Sequence, residues 1–332
     1  MNKEKTVLVM MTTYNGERFL REQLDSIRKQ SYQDFRLVIQ DDGSTDGTEA
    51  ILREYEEKDD RIEVRKNEGP HGAYCNFHSL INAVRAEEAC SYYMFSDQDD
   101  IWLPDKMSFY VKLAEACDPA KPLLFYSDMW IIDGKGRRNG KSLDGLLGIR
   151  YRNRWSLFFQ MNAFGCCSFF NRELLRIVPG LDPKDPLTAK IAHDAYFAKF
   201  AAMLGTIRYC PQKTTCYRRY GENVTAGQTY TIDFRKIMSR LFGFERLARD
   251  HAPTYTQSLL AIKKLEPFLS EGDRIAVKQI QKAVERGGFY ALFIYLKYKI
   301  GVGKRMRTFS RALILLSGRY KKYLDGGLLR EK

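Results

Sequence analysis

Residues 35–48, FRLVIQDDGSTDGT, show how the first half of this chain is organised. Phe35–Gln40 is an apolar and β-branched run with the length of a buried strand, and an acidic, glycine-containing turn separates it from a helical segment. Three further strands of this kind are predicted at Thr6–Thr12, Arg61–Arg65 and Tyr92–Ser96. Strands that alternate with helices predict an α/β fold with a mostly parallel sheet flanked by helices.

A cluster of polar residues follows each of these four strands. The clusters are Thr12–Asn15, Asp41–Asp46, Asn67–Gly72 and Asp97–Asp100. In open α/β sheets, ligands bind outside the carboxyl ends of the strands. We therefore expect the clusters to meet at one edge of the sheet and to form the functional site there.

The turn Asp41–Thr48 has two interpretations. Asp46 or Thr45 would cap the helix that follows, and such a cap needs no further function. Alternatively, a carboxylate in this turn would accept the ring N–H of a uracil or thymine base. A phosphate cradle is excluded here, because the acids repel phosphate and because neither GxGxxG nor a P-loop pattern occurs in the chain.

Asp97, Asp99 and Asp100 crowd the end of the fourth strand. Carboxylates this close repel one another unless a cation or basic groups neutralise them. Mg²⁺ and Mn²⁺ are held by one or two carboxylates together with substrate phosphates. The alternative is a solvated acidic loop that caps the helix opening near Pro104. The apolar and aromatic residues on both sides of the cluster favour the metal site.

His193 and Asp194 open an apolar helical segment. An acid in the first turn of a helix is favoured by the helix dipole alone. The functional interpretation makes Asp194 a general base that removes a proton from an acceptor hydroxyl. The four histidines lack a metal-binding spacing such as HExxH, so a histidine-based metal site is not expected.

Composition predicts a globular protein of a reducing compartment. Hydrophobic residues make up 44% and charged residues 29% of the 332 residues, which excludes extensive disorder. The seven cysteines contain no CxxC, so buried thiols are expected instead of disulfides or a zinc site. No signal-peptide pattern opens the chain, and no apolar run reaches the ~18–20 residues of a membrane span. We therefore expect a cytoplasmic location.

The excess of positive charge lies in the last third of the chain. Residues 1–230 hold 32 basic and 32 acidic residues, whereas residues 231–332 hold 22 and 9. We predict a first domain over 1–230 and a basic, amphipathic helical extension over 231–332. The extension suits the anionic inner face of the cell membrane, and equally a helical cap on the first domain with solvated charges. No nucleic acid is expected as a partner, because the first 230 residues are neutral and no nucleic-acid-binding module occurs.

Three of the motifs, taken together, resemble one family. The first strand closes in TTYN at 12–15, the second in DDGSTD at 41–46, and the fourth in DQDDIW at 97–102. This combination resembles the family 2 glycosyltransferases, which have the GT-A fold and invert the anomeric carbon. The stretch FSDQDDIWLPDK at 95–106 is most similar to the bacterial rhamnosyltransferase branch. The resemblance covers roughly residues 5–225 and leaves out the basic extension.

The resemblance implies that the nucleotide-sugar donor binds at the edge of the sheet. Thr12, Tyr14 and Asp42 would hold the nucleotide, with Asp42 reading the pyrimidine. Asp97 and Asp99 match the DxD element, which binds the ribose and the diphosphate-bound metal ion, Mg²⁺ or Mn²⁺.

The resemblance also covers residues later in the chain. Asp194 matches the catalytic base, and Arg218 falls where relatives place a basic residue near the diphosphate. Similar proteins often carry histidine where this chain has Tyr220. If that histidine assists the leaving group, its contribution is weakened or rearranged here.

The activity implied by the resemblance is metal-dependent, inverting sugar transfer. The expected reaction moves a sugar, such as rhamnose from dTDP-rhamnose, to a hydroxyl of a cell-surface polysaccharide or a lipid-linked glycan precursor. A single base without a protein nucleophile fits in-line displacement with inversion. A UDP-hexose donor is the alternative within the fold. A non-catalytic glycan- or nucleic-acid-binding protein is disfavoured, because donor, metal and base candidates are all present.

Overall fold

The computed structural model describes residues 5–87, 90–160, 163–221 and 244–324. Nine strands in this part form one sheet. They are β1 Val7–Thr13, β2 Phe35–Asp41, β3 Ile62–Lys66, β4 Tyr92–Ser96, β5 Ile101–Trp102, β6 Leu123–Ile132, β7 Arg138–Ser142, β8 Ser168–Asn171 and β9 Thr206–Arg218. The strand order is β3-β2-β1-β4-β8-β6-β9-β5, and β7 pairs with β6.

The sheet is parallel on one side and mixed on the other. β1 to β4 run parallel, as the sequence predicts. β8 runs antiparallel to its neighbours β4 and β6, whereas β9 runs parallel to β6 and antiparallel to β5. The predicted α/β class is therefore confirmed, with antiparallel pairing beginning beyond β4.

Helices alternate with the first strands along the chain and pack against the sheet. Those before residue 205 are α1 Leu20–Arg28, α2 Thr48–Lys58, α3 Ala73–Glu87, α4 Lys106–Glu115, α5 Leu143–Leu147, α6 Arg172–Ile177 and α7 His193–Leu204. From the sequence, Phe19, Leu20, Leu24 and Ile27 are expected to form one apolar helix stripe, and Leu20, Leu24 and Ile27 are indeed fully buried in one cluster with the apolar residues of β1 and β2. Apolar residues three and four positions apart share one helix face, which explains this burial.

The strand register brings the polar clusters together. Thr13 pairs with Asp41 across β1 and β2, and Asp41 pairs with Lys66 across β2 and β3. Met11 pairs with Ser96 across β1 and β4. The residues that follow these four strands therefore lie at one edge of the parallel sheet, as the sequence predicts.

The later strands differ from the sequence prediction. The sequence alone predicts two short strands, Leu123–Ser127 and Trp130–Asp133, where β6 is one strand, and two more, Thr206–Tyr209 and Thr214–Arg218, where β9 is one strand. Between the pairs Ser127–Cys210 and Met129–Thr215 the register shifts because β9 has extra residues there, and such a bulge bends a strand without ending it. The sequence also predicts a strand over Phe164–Phe170, but β8 begins only at Ser168, because Gly165–Cys167 form a 3₁₀ turn.

The chain divides into two compact units. The first comprises Met1–Leu143, Ala163–Ala201 and Gly205–Gln228, and the second comprises Asp144–Asn162, Ala202–Leu204 and Thr229–Lys332. That the second unit includes Asp144–Asn162 was not foreseen. The predicted boundary near residue 230 falls outside the described residues and stays a prediction.

The second unit contains the predicted helices of the extension. They are α8 Phe244–Leu265, α9 Glu271–Arg286, α10 Gly288–Lys297 and α11 Arg305–Ser317. α8 continues through Pro253, where the sequence predicts a break, and the buried neighbours Ala252 and Tyr255 hold the helix together there. Among the described residues, we find no helix with the length and apolarity of a membrane span.

The end of α7 provides a test of packing in the first unit. A Cβ on Gly205 would lie 2.2 Å from the carbonyl oxygen of Pro122, which accepts the backbone N–H of Thr206 at the start of β9. We expect Gly205→Ala to lower the free energy of unfolding by about 2–3 kcal/mol, because the backbone must move to relieve the overlap. Urea unfolding followed by circular dichroism measures this change.

Gly272→Ala is the matched control for that experiment. Gly272 lies in α9, and a Cβ there would meet no atom within 4 Å. The control should raise stability slightly, because alanine is the better helix former. Equal stability of the two alanine variants would contradict the close approach at Gly205.

Candidate active site

The turn after β2 is organised by Asp41. Its carboxylate accepts hydrogen bonds from the Thr13 hydroxyl at 2.8 Å and from the backbone N–H groups of Ser44 and Gly43 at 2.8 and 3.1 Å. These contacts fix the turn against the end of β1. Asp41 is therefore a structural residue, although it belongs to the acidic cluster singled out from the sequence.

Asp42 connects the turn after β2 to the loop after β3. Its buried carboxylate accepts the Asn67 amide at 2.6 Å and the Gly72 backbone N–H at 2.7 Å, and the His71 ring nitrogen lies 3.1 Å away. Asn67 and His71 share one oxygen, so the oxygen bonded to Gly72 retains a lone pair. That oxygen can still accept an N–H group of a ligand, so the predicted base-reading role is compatible with the geometry.

The capping interpretation applies to Asp46. Its carboxylate accepts the backbone N–H of Thr48 at the start of α2 at 3.0 Å and that of Glu17 at 3.1 Å. The Asn15 side chain accepts the backbone N–H of Thr45 at 2.9 Å. The loop after β1 and the turn after β2 are thus joined into one rim.

Gln98 joins this rim to the loop after β4, a role that the sequence analysis missed. Its side-chain amide donates to the Tyr14 carbonyl at 2.9 Å and accepts the Tyr14 backbone N–H at 2.8 Å. The Tyr14 side chain itself is 56% exposed, whereas Thr12 is buried in β1. Of these two predicted donor-binding residues, only Tyr14 offers its side chain to solvent at the rim.

The carboxylates after β4 lie in different environments. Asp97 and Asp99 are partly exposed, whereas Asp100 is fully buried. Burial and the charges of Asp100 and Asp99 raise the pKa of Asp97 well above its usual range. Burial, together with the Asp99 charge, raises the pKa of Asp100 to about 7. Burial is the first cause of both shifts, and repulsion from neighbouring carboxylates adds to it at Asp97 and Asp100.

Arg218 supports the acidic loop from inside the protein. Its backbone N–H donates to the Asp100 carboxylate at 3.0 Å, and its Nε donates to the Asp99 carbonyl at 2.8 Å. The guanidinium also pairs with Glu22 and lies 4.4 Å from the centre of the Phe19 ring. The Arg218 side chain is 1% exposed, so these contacts enclose the residue predicted to lie near the diphosphate.

Tyr220 stands next to this loop. Its hydroxyl hydrogen-bonds the Asp99 carboxylate, and that bond opposes the rise in the pKa of Asp99 that burial causes. The Tyr220 ring packs against Phe19 with the ring centres 4.7 Å apart. The residue that stands where the resemblance implies a histidine therefore contacts Asp99, one of the two predicted metal ligands.

Lys106 is a buried cation beside the acidic cluster, and the sequence analysis did not single it out. Its ammonium donates to the Thr215 hydroxyl at 3.0 Å and lies 3.5 Å from the centre of the Trp102 ring. Burial lowers the pKa of Lys106 to about 8, and the charges of Asp100 and Asp97 oppose this shift. The acids and Lys106 therefore stabilise each other's charge.

Possible metal ligands here combine two carboxylates with a thiol: ligand atoms of Asp97, Asp100 and Cys166 lie within 4.8 Å of one another, and Asp99, the second predicted metal ligand, is not in this group. One Asp100 carboxylate oxygen has no hydrogen-bond partner among the described residues. The two carboxylates suit Mg²⁺ or Mn²⁺, whereas a cysteine sulfur suits softer metals. Asp97 and Asp99 are the acids open to solvent, and Asp100 lies beneath them.

Asp194 opens α7 beside Gly165. Its carboxylate accepts the backbone N–H groups of Gly165 at 2.9 Å and of Ala195 at 2.6 Å, while burial raises its pKa. A Cβ on Gly165 would lie 3.5 Å from the Cβ atoms of both Asp194 and Phe95, so Asp194 lies beside the end of β4 that leads to Asp97. Burial, followed by the charges of Asp194 and Asp97, raises the pKa of Tyr74 to about 12.

His193 packs under this site without a charge. Its ring stacks on Phe77 at 3.8 Å between ring centres and meets the Phe95 ring edge-on at 4.4 Å. Burial lowers the pKa of His193 well below its usual range. A Cβ on Gly165 would lie 2.8 Å from the His193 Nε2, so glycine is required where the chain passes over the ring.

Comparison with known sequences identifies related proteins. A sequence profile described as "Glycosyl transferase family 2" matches residues 8–177. The chain is similar to the dTDP-rhamnosyl transferase RfbG of Shigella flexneri, with 29% identity over 241 residues, 70% of this chain and 78% of that protein. It is also similar to an uncharacterised glycosyltransferase of Nostoc sp., with 28% identity over 65% of this chain and 66% of that protein, just under two thirds of its length.

Solved structures with the same fold are more distant in sequence. The S. aureus TarS fragment 1–349 in complex with UDP-GlcNAc has a TM-score of 0.55 at 14% identity, covering 96% of this chain and 84% of that chain. The mannosyltransferase PcManGT from Pyrobaculum calidifontis in complex with GDP-Man and Mn²⁺ has a TM-score of 0.52 at 18% identity, covering 97% of this chain and 88% of that chain. Such likeness shows the fold, and the predicted GT-A fold is confirmed.

The buried histidines next to α7 predict acid sensitivity. Burial lowers the pKa of His78 from 6.5 to about 4. The unfolded chain takes up this proton near pH 6.5 and the folded chain only near pH 4, so the stability from neutral His78 is present above pH 6.5 and lost as the pH falls towards 4. Between pH 6.5 and 4, we expect the free energy of unfolding to fall on the order of 2–3 kcal/mol less in His78→Gln than in the wild type.

Urea unfolding of the protein and of His78→Gln at several pH values measures that difference. Glutamine can still donate to the Ile191 carbonyl, which the His78 ring contacts at 3.0 Å. Buried acids also titrate over this pH range in both proteins. The quantity compared is therefore the difference in free energy of unfolding between the wild type and His78→Gln at each pH. A difference that stays constant with pH would contradict the prediction.

Proposed function

This chain belongs to glycosyl transferase family 2, and we propose that it transfers rhamnose from dTDP-rhamnose to a hydroxyl of a cell-surface polysaccharide or lipid-linked glycan precursor. The observation that carries the proposal is that Gly165 and Cys166 lie between the two acids: the Gly165 backbone N–H donates to the Asp194 carboxylate at 2.9 Å, and the Cys166 sulfur lies within 4.8 Å of a ligand atom of Asp97. The similarity to the protein named dTDP-rhamnosyl transferase supports the choice of donor. We place the reaction in the cytoplasm or at the inner face of the cell membrane.

In this proposal, the nucleotide lies along the rim after β1 and β2. The exposed ring of Tyr14 covers the base, and the Asp42 oxygen bonded to Gly72 accepts the ring N–H of the pyrimidine. Thr12, buried at the end of β1, would lie beneath the bound nucleotide. Because uracil and thymine offer the same ring N–H, a UDP-hexose donor is the alternative that this contact equally supports.

The acids after β4 hold the diphosphate end of the donor. Asp97 and Asp99 would bind a divalent cation, Mg²⁺ or Mn²⁺, which offsets the charge that develops on the leaving diphosphate. Asp100 stays beneath them, bonded to the Arg218 backbone. In this role Arg218 acts by holding the acidic loop in place, since its side chain is enclosed.

Asp194 is the proposed general base. Two backbone N–H groups fix its carboxylate, and burial raises its pKa, which makes it a stronger proton acceptor than an exposed aspartate. It would take the proton of the acceptor hydroxyl as the oxygen attacks the anomeric carbon from the face opposite the diphosphate. A direct displacement of this kind inverts the anomeric carbon.

Nucleotide release from a panel of donors tests the activity. The purified chain is incubated with dTDP-rhamnose, UDP-hexoses and GDP-mannose, with Mn²⁺ or with a chelator, and the nucleotide released is measured. We expect release from dTDP-rhamnose that depends on the metal. Release from none of these donors, with acceptor and Mn²⁺ present, would contradict the proposal.

In the same assay, Asp194→Asn separates binding from chemistry. The asparagine carbonyl can still accept a backbone N–H, so donor affinity should stay unchanged while turnover falls about 10²–10⁴-fold. Asp60→Asn, at an exposed position, is the matched control and should keep full turnover. Unchanged turnover of Asp194→Asn would overturn the base assignment.

Stability in Mn²⁺ tests the cation site without measuring activity. A cation that binds only the folded protein raises the free energy of unfolding, by about 2.7 kcal/mol at a hundred times its dissociation constant. We expect this gain for the wild type, its loss in Asp97→Asn and Asp99→Asn, and its retention in Asp60→Asn. Thermal unfolding at increasing Mn²⁺ concentration measures it.

Asp100→Asn decides between the two candidate pairs of acids. If Asp100 only supports the loop, this variant keeps the gain, because the asparagine carbonyl can still accept the Arg218 backbone N–H. Loss of the gain in Asp100→Asn and its retention in Asp99→Asn would replace the proposed pair by Asp97 and Asp100.

A further inference from the structure

The second unit exposes large apolar side chains on two successive helices. On α10, Phe289 is 83% exposed, Phe293 60% and Leu296 66%. On α11, Met306 is 50% and Phe309 59% exposed. Single exposed apolar residues are ordinary, but a group of this size on neighbouring helices marks an interaction surface.

The exposed residues of α10 form one helix face. Phe289, Phe293 and Leu296 follow one another at intervals of four and three residues, so they lie in one stripe. Ala291, Ile294 and Tyr295 form the opposite face and are buried. The packing of the second unit therefore fixes α10 with its aromatic stripe directed to solvent.

A cleft connects the stripe on α10 to α11. It has a volume of about 470 Å³, and Leu296, Lys299, Arg305 and Phe309 are among the residues that line it. Apolar residues of both helices and the three cations Arg152, Lys299 and Arg305 therefore border the same space. We call Phe289, Phe293, Leu296, Met306 and Phe309, with Lys297, Lys299, Lys304 and Arg305, the apolar–basic surface.

All the charged lysine, arginine, aspartate and glutamate side chains between residues 288 and 324 are positive. Residues 288–324 contain nine lysines and arginines and no aspartate or glutamate. Lys297, Lys299, Lys304 and Arg305 of the apolar–basic surface are all exposed. The partner of this surface must therefore accept apolar side chains and supply negative charge.

We propose that the apolar–basic surface docks on an anionic lipid bilayer, with α10 lying in the plane of the headgroups. Aromatic and aliphatic side chains enter the boundary between headgroups and acyl chains, and lysines and arginines beside them pair with lipid phosphates. α10 has ten residues, too few to cross a bilayer but enough to lie on it. This binding goes beyond sugar transfer and needs no donor or metal.

A second copy of the chain fits this surface poorly. A two-fold interface would place the same patch on both sides, so the cations of one copy would face those of the other. Like charges brought together with little solvent repel strongly. The bilayer supplies the negative charge that such a dimer lacks.

Cosedimentation with vesicles tests the proposal on the full chain. Vesicles of phosphatidylcholine alone are compared with vesicles in which part of it is replaced by phosphatidylglycerol, at low and at high salt. We expect binding to the anionic vesicles at low salt and weaker binding at high salt. No binding to anionic vesicles at low salt would overturn the proposal.

Two double variants separate the apolar and the ionic contributions. Phe289→Ser with Phe293→Ser, and Lys299→Gln with Arg305→Gln, should each weaken the affinity for anionic vesicles by about tenfold or more. These side chains are exposed, so the fold should be retained, and circular dichroism checks it. Vesicle binding that both double variants keep unchanged would overturn the proposal.

Matched controls lie outside the surface. Ile275→Ser changes an exposed residue of α9, and Lys121→Gln with Lys184→Gln removes two exposed charges of the first unit. Both should bind vesicles like the wild type. If the controls lose as much affinity for anionic vesicles as the double variants do, the binding is nonspecific adsorption and the proposal is overturned. A dimer that sedimentation velocity detects, and that Phe289→Ser with Phe293→Ser abolishes, would also overturn it. Nucleotide release from a soluble donor is measured separately, so failure of vesicle binding leaves the proposed reaction unaffected.

Discussion

Three crowded carboxylates after β4 lie partly or fully inside the protein, and offsetting their charge is the constraint on which the candidate site depends. Asp97, Asp99 and Asp100 lie within four positions at the edge of the sheet, and distant parts of the chain offset their charges. The Arg218 backbone binds Asp100, and the Tyr220 hydroxyl binds Asp99. β9 must therefore pass beside the loop after β4, and its pairing with β5 holds it there.

The part of this arrangement that depends on local sequence could be predicted. Short apolar strands with polar ends gave the parallel half of the sheet, and its register brought the expected clusters together. The roles inside the clusters could not be assigned in the same way, because adjacent acids with similar chemistry serve different purposes. Asp41 binds its own turn, Asp46 caps α2, and Asp42 holds the loop after β3.

Residues that act over long sequence distances left no local signal. Gln98 bonds to Tyr14 across 84 positions, and Lys106 meets Thr215 across 109. A lysine at the start of a helix is typical of a solvated charge, and this one is buried by residues distant in sequence, Thr215 of β9 and the Cys166 carbonyl, together with Trp102. Likewise, Gly165 is required because His193 lies beneath it, a contact that no periodicity in the sequence indicates.

The burial of Lys106 also bears on charge balance in the first unit. Its ammonium is a cation that the chain itself supplies to Asp97 and Asp100, and the charges of these acids oppose the fall in its pKa that burial causes. Part of the charge of the acidic loop is therefore offset from within the fold. Replacing Lys106 would disturb the loop after β4 from beneath, together with the contact that Lys106 makes to Thr215 of β9.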